Sequence, residues 1–587
     1  MLLSVLIVFS LFAVQLLRLQ AIDAKSMAEA AMGQRLEKET IPALRGEITD
    51  TNGVVLAQSE ERRDIVADPT AVREYTKVID GTRVKVGITG AAKDLAPVLG
   101  RPAKNIAIRL RANPGTRFTY VVKDVSPLTW RRVADLGIPG MAGERTTKRE
   151  YPTDDIAASL IGWVGNDGSA GGGIEQLLDR QLTGTPGEVT YERSGNGSVI
   201  ATGEHTDVPA VQGKNVKLTI NSDLQFMAQN TLAQQVIKSR AESGTVVVSN
   251  TKGDLLAVAS YPTFDPNDIA DAKGYLGNRA FSDVFEPGST AKVMTAAAAI
   301  QEGVATPRTH VTVPSILDRA GREFRDAERH GTLHLTFSGV IAHSSNMGVI
   351  LVGEKMSKQT IYSYLRKFGV GRSTGVGFPG ESPGLLAKPD TWSDSQRYTV
   401  LYGQGVSVNA IQDAGVFQTI ANGGVRVPPR LIKGTTDGDG TFTANPRAKG
   451  VRVVSPHTAK QVTSMLEGVV GKHGTAPAAE VKGYRVAGKT GTASRYDSAT
   501  GGYNGYTASF IGFAPADDPK LIVSVTLQRP RSSIYGGVVA APVFSKVMTY
   551  ALQDYGIPPT GTKPPRIPLT YDPSADPAQE HAIGKNE

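Results

Sequence analysis

Cysteine is missing from all 587 residues, which excludes disulfides, thiolate zinc sites, iron–sulfur clusters and cysteine nucleophiles together. The absence suits a chain exported to an oxidising place, without proving export. Blocks of five or more like charges are missing too. Lys+Arg outnumber Asp+Glu by 64 to 56, so the net charge of +8 is spread over the surface and not gathered into a nucleic-acid arm. A diffuse basic surface facing anionic wall or lipid is the remaining reading, with no nucleic-acid partner. No internal repeat is found. The 40% hydrophobic and 20% charged fractions are too apolar for wholesale disorder, and the mean hydropathy of -0.17 is too polar for a multi-span membrane protein. At roughly 150 residues per domain, this length predicts two to four domains.

Charge is also absent from the first stretch, Met1 to Leu17, which is broken only by Ser4, Ser10 and Gln15. That run sits at the short edge of the roughly 17 to 25 residues that span a bilayer as a helix. A cleaved signal peptide is the competing reading, but its apolar region is usually only about 7 to 15 residues long. The nearest small-x-small site, Ala28-Glu29-Ala30, lies well past the run, so residues 1–20 are expected to be an uncleaved transmembrane anchor. Arg18, Lys25, Arg35 and Lys38 follow the run and oppose an outside C-terminus, although long domains translocate largely regardless of such bias. The missing basic flank before the run points to a start upstream of Met1.

Residues 21–213 read as a mixed unit of short strands, helices and polar turns. Arg45 to Ser59 alternates around Asp50-Thr51-Asn52-Gly53, a hairpin signature. The segments from Arg149 (REYPTDDIAASLIGWVG) and Gly171 (GGGIEQLLDRQLTGTPGE) join helical apolar patterns to Gly and Pro punctuation. A second unit, 214–555, opens with a strand and a helix N-capped at Asn221 or Ser222. A hairpin over Thr245–Ser260 follows, then further helices, two strands within Ala508–Gln528 and a last helix over Ala541–Tyr555. This order predicts an α+β fold, an antiparallel sheet flanked by helices. The remainder, 556–587, is Pro-rich with almost no apolar periodicity and is expected to be disordered.

The chemistry starts at FEPGSTAKVMTAAAAIQEG, Phe285 to Gly303. Pro287-Gly288 and Gly303 mark the ends of a helix, with Ser289 in its first turn and Lys292 one turn on, on the same face. A lysine whose pKa is lowered by desolvation can take the proton of a serine nucleophile without a histidine, and the helix N-terminus supplies N–H groups for an oxyanion. Alone, S-x-x-K describes an N-capping serine and a solvated lysine as well, and Ser249 to Lys252 matches it in a hairpin turn. The rest of the set decides. Ser344-Ser345-Asn346 follows 55 residues after Ser289, and Lys489-Thr490-Gly491-Thr492 follows 200 residues after it. S-x-N recurs at Ser194 and Ser407, but K-T-G occurs once, ahead of the strand pair from Ala508. Together the three form the signature of penicillin-binding proteins and class A β-lactamases.

On these residues the chain resembles a class B penicillin-binding protein, a monofunctional peptidoglycan transpeptidase. YPTFDPN (261–267), GQGVSVNAIQ (403–412) and ANGG (421–424) also resemble landmarks of that family. In the first half, RGEITDTNG, REYP and GGGIEQLLD resemble its membrane-anchored pedestal, a dimerisation-like domain for interaction and positioning. FEPGS and SSNMG look more like the division-specific branch, and actinobacterial septal enzymes in particular, than the elongation branch, where Y-P-P-G-S and Asp in place of Asn346 are expected.

The resemblance implies roles. Ser289 would attack the penultimate carbonyl of a D-Ala-D-Ala donor stem peptide, and Lys292 would be the base. Ser344 would relay a proton to the leaving amine with help from Lys489, and Asn346 would hold the donor. The Ser289 and Thr492 N–H groups would form the oxyanion hole, and Thr490, Gly491 and Thr492 would line the substrate carboxylate's place, with the two threonine hydroxyls gripping it. β-Lactams would acylate the same serine. A lipid II-polymerising glycosyltransferase and other divisome membrane proteins are the implied partners. No metal or cofactor is expected. His343, next to S-x-N, is read as a helix-surface or packing residue. A β-lactamase is disfavoured because no Glu stands four residues before an Asn between Asn346 and Lys489. A bifunctional synthase lacks its E-D-x-x-F pattern in 21–213, and a non-catalytic β-lactam or muropeptide receptor stays open, as does the elongation branch.

Overall fold

In the computed structural model, the described residues are 2–18, 20, 35–113, 115–192, 200, 202–203, 205–497 and 501–574. The catalytic half is built on one five-stranded sheet. Helix α1 (Ser222–Ser239) leads into it, started by Asn221, whose side chain accepts the N–H groups of Asp223 and Leu224. Strands β1 (Ser243–Asn250) and β2 (Leu255–Tyr261) form the expected hairpin. Helix α2 (Lys292–Gln301) then carries the Ala-rich run, α3 (Phe337–Ala342) and α4 (Asn346–Gly353) flank S-x-N, and α5 (Ala410–Ala421) and α6 (Pro456–Val470) complete the helical layer. Strands β3 (Ala487–Asp497), β4 (Gly502–Ala514) and β5 (Leu521–Gln528) return to the sheet, and α7 (Ala541–Asp554) closes the unit.

The order is β2-β1-β5-β4-β3, antiparallel throughout. Successive side chains of a strand point to opposite faces, yet β5 is buried along its whole length, so helices cover both sides of the sheet. K-T-G precedes the strand pair from Ala508 as expected and itself lies inside a strand, β3, at the sheet's edge. Gly488 and Gly491 weaken the sequence signal for a strand at that point.

The first half has two parts. Strands Val55–Ala67, Thr119–Val125 and Met141–Glu150 pair antiparallel over a separate apolar core of Ile65, Val72, Leu95, Ile106, Leu110 and Val133. The other part shares the catalytic half's core through Ile48, Leu56, Leu160, Ile174 and Leu182. The expected hairpin turn at Asp50–Gly53 is present, with Gly53 at φ +94°. At the junction, Asn215–Leu218 runs parallel to Ile48–Thr49 and antiparallel to Ile432–Thr436, so one strand belongs to both halves.

Three sequence landmarks of the first half meet in one ion cluster. The Glu175 carboxylate is fully buried and accepts Arg45 Nε at 2.5 Å and Arg149 Nε at 2.7 Å, while Arg45 also reaches Asp179 at 2.7 Å. Burial, together with the Glu175 charge, pushes the neighbouring Tyr151 phenol up. Tyr151 is tied through its backbone to the side chain of Asn267, so YPTFDPN docks directly on the pedestal motifs.

The two ends of the chain stand differently against expectation. Among the described residues no helix is long and apolar enough to cross a membrane; Leu2–Leu17 forms a helix of 16 residues, exposed along its length. The chain from Gly556 to Ser574, expected to be disordered, is mostly exposed but bonded to the catalytic half at its far end; residues 575–587 of that expectation lie outside the described residues. Thr336 donates its N–H to the Leu569 carbonyl at 3.0 Å, Tyr571 N–H reaches His334 O at 3.1 Å, and the Tyr571 ring stacks on His310 at 3.9 Å. Prolines pre-set extended backbone, so a segment without periodicity can still add to a strand.

Candidate active site

Ser289 lies in the single 3-10 turn Gly288–Ala291 that leads into α2, and Lys292 is the first residue of that helix. Two glycines let this turn approach its neighbours. Gly403 (φ +83°) accepts the Gly288 N–H at 3.0 Å, and a Cβ on Gly403 would stand 2.2 Å from the Gly288 oxygen. A Cβ on Gly491 would meet Ser509 Oγ at 2.2 Å and Pro287 O at 3.2 Å. The first contact explains the G-Q-G landmark, and the second explains why K-T-G needs its glycine: β3 lies directly on the turn of the serine. Below the turn, Thr290 Oγ1 donates to the buried Asp413 carboxyl at 2.9 Å, and burial pushes Asp413 up to about 7.

The two lysines and Ser344 form one cluster. Ser344 sits between α3 and α4 at φ +60°, a left-handed conformation that turns the chain sharply between the helices. Its Oγ accepts Lys489 Nζ at 2.9 Å and Lys292 Nζ at 3.3 Å, and Lys292 also donates to the Ser344 carbonyl. With two amines donating to its oxygen, the Ser344 hydroxyl keeps its own hydrogen available to a third group. Both lysines are fully buried. Burial lowers Lys292 to about 7, against the opposing pull of the Asp326 charge, and burial together with the charge of Lys292 holds Lys489 well below the ordinary lysine range. An amine near 7 is matched to proton transfer at neutral pH.

The remaining sequence-predicted residues divide. Thr490 Oγ1 pairs with Thr475 Oγ1 at 2.9 Å and receives Lys489 Nζ at 3.2 Å. Thr492 lies two residues on in β3, with its carbonyl beside the Gly288 turn. Asn346 opens α4, and its amide donates to Arg325 O at 3.3 Å and not to either lysine. His343 is an exposed residue at the end of α3, in keeping with a surface role. The decoy Ser249 is buried at the end of β1 with Lys252 in the hairpin turn, so no helix joins them. Sequence reasoning passed over Asp326, Thr475 and Asp413, each an isolated polar residue with no motif of its own.

Residues 244–549 match the penicillin-binding protein transpeptidase domain, and residues 40–218 match the penicillin-binding protein dimerisation domain. The chain belongs to the class B penicillin-binding proteins. It is 38% identical to penicillin-binding protein PbpB of Mycolicibacterium smegmatis over 95% of this chain and 90% of that protein. It is 33% identical to peptidoglycan D,D-transpeptidase FtsI of Escherichia coli over 92% of this chain and 89% of that protein. Among solved structures, penicillin-binding protein 3 of Mycobacterium tuberculosis complexed with aztreonam superposes with a TM-score of 0.70 at 32% identity, covering 91% of this chain and all of that one. A peptidoglycan synthetase from Bifidobacterium adolescentis gives 0.73 at 33% identity, covering 92% of this chain and all of that one. The α+β fold with a pedestal is therefore that of the family.

Proposed function

We propose that this class B penicillin-binding protein is a peptidoglycan D,D-transpeptidase of septal wall synthesis, acylated by β-lactams at the same serine as by its substrate. The observation that supports it best is the convergence of Lys292 and Lys489 on Ser344 Oγ beside the Ser289 turn. Neutral Lys292 takes the Ser289 proton as Oγ attacks the penultimate D-Ala carbonyl of the donor. The tetrahedral oxyanion faces the Ser289 and Thr492 N–H groups, oriented before charge develops. The C–N bond then breaks, Ser344 gives its proton to the departing D-Ala amine, and the lysine pair replaces it. An amine of a second strand attacks the ester, forms the cross-link and returns the proton to Ser289. Thr490 and Thr492 hold the terminal carboxylate and Asn346 the donor backbone.

The assignment is read by intact mass and peptide mapping after penicillin treatment. One adduct is expected on Ser289 and none on Ser249; an adduct mapped elsewhere would sink it. Cross-linked product from peptidoglycan strands separates this enzyme from a binding receptor, which would label and yield no product.

The septal part rests on FEPGS around Ser289 and on Asn346, whose amide both donates and accepts where an ionised Asp only accepts. Residues 1–20 anchor the chain, with the catalytic domain outside the cytoplasm. It works beside a lipid II-polymerising glycosyltransferase and other divisome membrane proteins, since the matched domains include no polymerase. A 16-residue helix rises about 24 Å at ~1.5 Å per residue, short of a ~30 Å hydrocarbon core unless the flanking residues extend it. A fluorescent fusion is expected at midcell septa, whereas signal confined to poles or lateral wall would move the chain to the elongation machinery.

A further inference from the structure

The loop between Phe324 and Gly331 carries none of the family signature, yet it reaches the start of α4 beside Ser344. Asp326 is nearly buried, its side chain 10% exposed. One carboxylate oxygen accepts the backbone N–H groups of Asn346 at 2.5 Å and Met347 at 3.0 Å; the other faces His330 Nε2 at 3.1 Å. The next N–H of α4, that of Gly348, goes to Ser345 Oγ at 2.9 Å. Helix α4 therefore begins with its orphan donors satisfied, two of them by a residue 20 positions upstream. Those donors follow Ser344 by two and three residues, so what fixes them also holds the left-handed turn that aims Ser344 at both lysines.

Charge gives a second, independent reason. The groups around Lys292 are Lys489 from β3, Ser344 from the turn, Asp326 with its partner His330 from the loop, and Asp413, which reaches the same helix start through Thr290. Among these, Asp326 is the carboxylate whose charge acts on Lys292, opposing the effect of burial.

We propose that Asp326 is a positioning residue of the acylation site, anchoring the start of the helix behind Ser344 and holding negative charge towards Lys292. It touches neither the substrate nor the reacting atoms. The inference rests on the reading of Ser289, Lys292 and Ser344 given above and adds to it the group that sets their geometry and working pH. The carboxylate does two things that substitution can separate. Asparagine keeps an oxygen for the two N–H groups and loses the charge; alanine loses both.

The test is the second-order rate of acylation by a fluorescent penicillin, measured on the full chain from pH 5 to 9. In the wild type the acid limb should fall near 7, where Lys292 gains its proton. Removing an opposite charge makes the protonated amine less favourable, so Asp326→Asn should move that limb to lower pH by about one unit while keeping the plateau within about threefold. Asp326→Ala should lower the plateau at least about tenfold through misplacement of Ser344, with Asp326→Asn as the rescue. An unmoved limb in Asp326→Asn, or an Asp326→Ala plateau within about threefold of wild type, overturns the proposal. Should Asp326→Ala lose its melting transition, the limb of Asp326→Asn alone decides. Ser289→Ala, run in parallel, separates the two readings: labelling that survives it overturns the site itself, whereas a silent Ser289→Ala beside an unmoved limb overturns only the role of Asp326.

Discussion

Replacing Lys292 with alanine should lower β-lactam acylation about 100- to 10,000-fold while the protein still melts cooperatively. The expected size follows from the work assigned to this amine. Among the described residues no histidine is hydrogen-bonded to Ser289, and Lys292 is the buried group at its helix start whose pKa is brought to about 7. Removing Lys292 also takes away one of the two donors on Ser344 Oγ and the charge that repels a proton from Lys489. Lys489 then becomes easier to protonate, which does not help it accept a proton from Ser289. The fold should survive, because alanine substitution removes a desolvated amine from a helix that is otherwise mostly alanine and apolar residues. A stopped-flow or gel-based acylation rate within about threefold of wild type would remove Lys292 from the mechanism.

The second large effect is on stability. Glu175→Ala should destabilise the protein by about 3–5 kcal/mol, since it leaves two buried guanidiniums, Arg45 and Arg149, without their carboxylate. Arg45 retains Asp179, and Arg149 retains the Arg45 carbonyl and Ser59 Oγ at 3.2 Å each, so collapse need not be total. Glu175→Gln keeps the shape and one acceptor and should fall between. The urea midpoint reads the loss, and a midpoint equal to wild type would mean that the cluster contributes nothing. Because Tyr151 and Asn267 connect this cluster to the catalytic half, the pedestal and catalytic unit should loosen together. Two separate transitions in Glu175→Ala, against one in wild type, would show instead that the cluster acts as a hinge.

The same cluster shows what could be read before any coordinates. RGEITDTNG, REYP and GGGIEQLLD are visible as punctuated segments, and the resemblance assigns them to one domain. That Arg45, Arg149 and Glu175 meet is a matter of contacts 130 and 26 residues apart, which local periodicity cannot report. The catalytic signature behaves differently. S-x-x-K is local geometry, a serine and a lysine one helical turn apart, and so is legible at once; S-x-N and K-T-G are legible only as companions in order. The strand under K-T-G is hidden by Gly488, which lies against Phe510, and by Gly491, which lies against Ser509 and the Ser289 turn. Asp326 leaves no trace in the sequence, because a lone aspartate in a loop is indistinguishable from a turn residue until the helix it caps is seen. The hairpin at 245–260 and the helix from Asn221 are fully legible, since turn chemistry and a capping side chain act within a few residues.

The contacts of Pro568 and Leu569 have a consequence for how the chain comes to be made. Thr336 caps α3, the helix that delivers Ser344, and its side chain and N–H are held by Pro568 and Leu569, residues 232 and 233 positions later. In the central sheet, likewise, β1 waits for β5 before its second edge is paired. A chain emerging from its N-terminus can therefore form the separate core around Ile65 and Val133 early, while the turn that carries Ser344 and the sheet's middle strand stay unfinished until residues 521–569 are available. Non-local pairing of this kind is slow, and it leaves apolar strand edges open in the meantime. The order of synthesis thus leaves the helix before Ser344 without its Pro568 and Leu569 partners until those residues have been made.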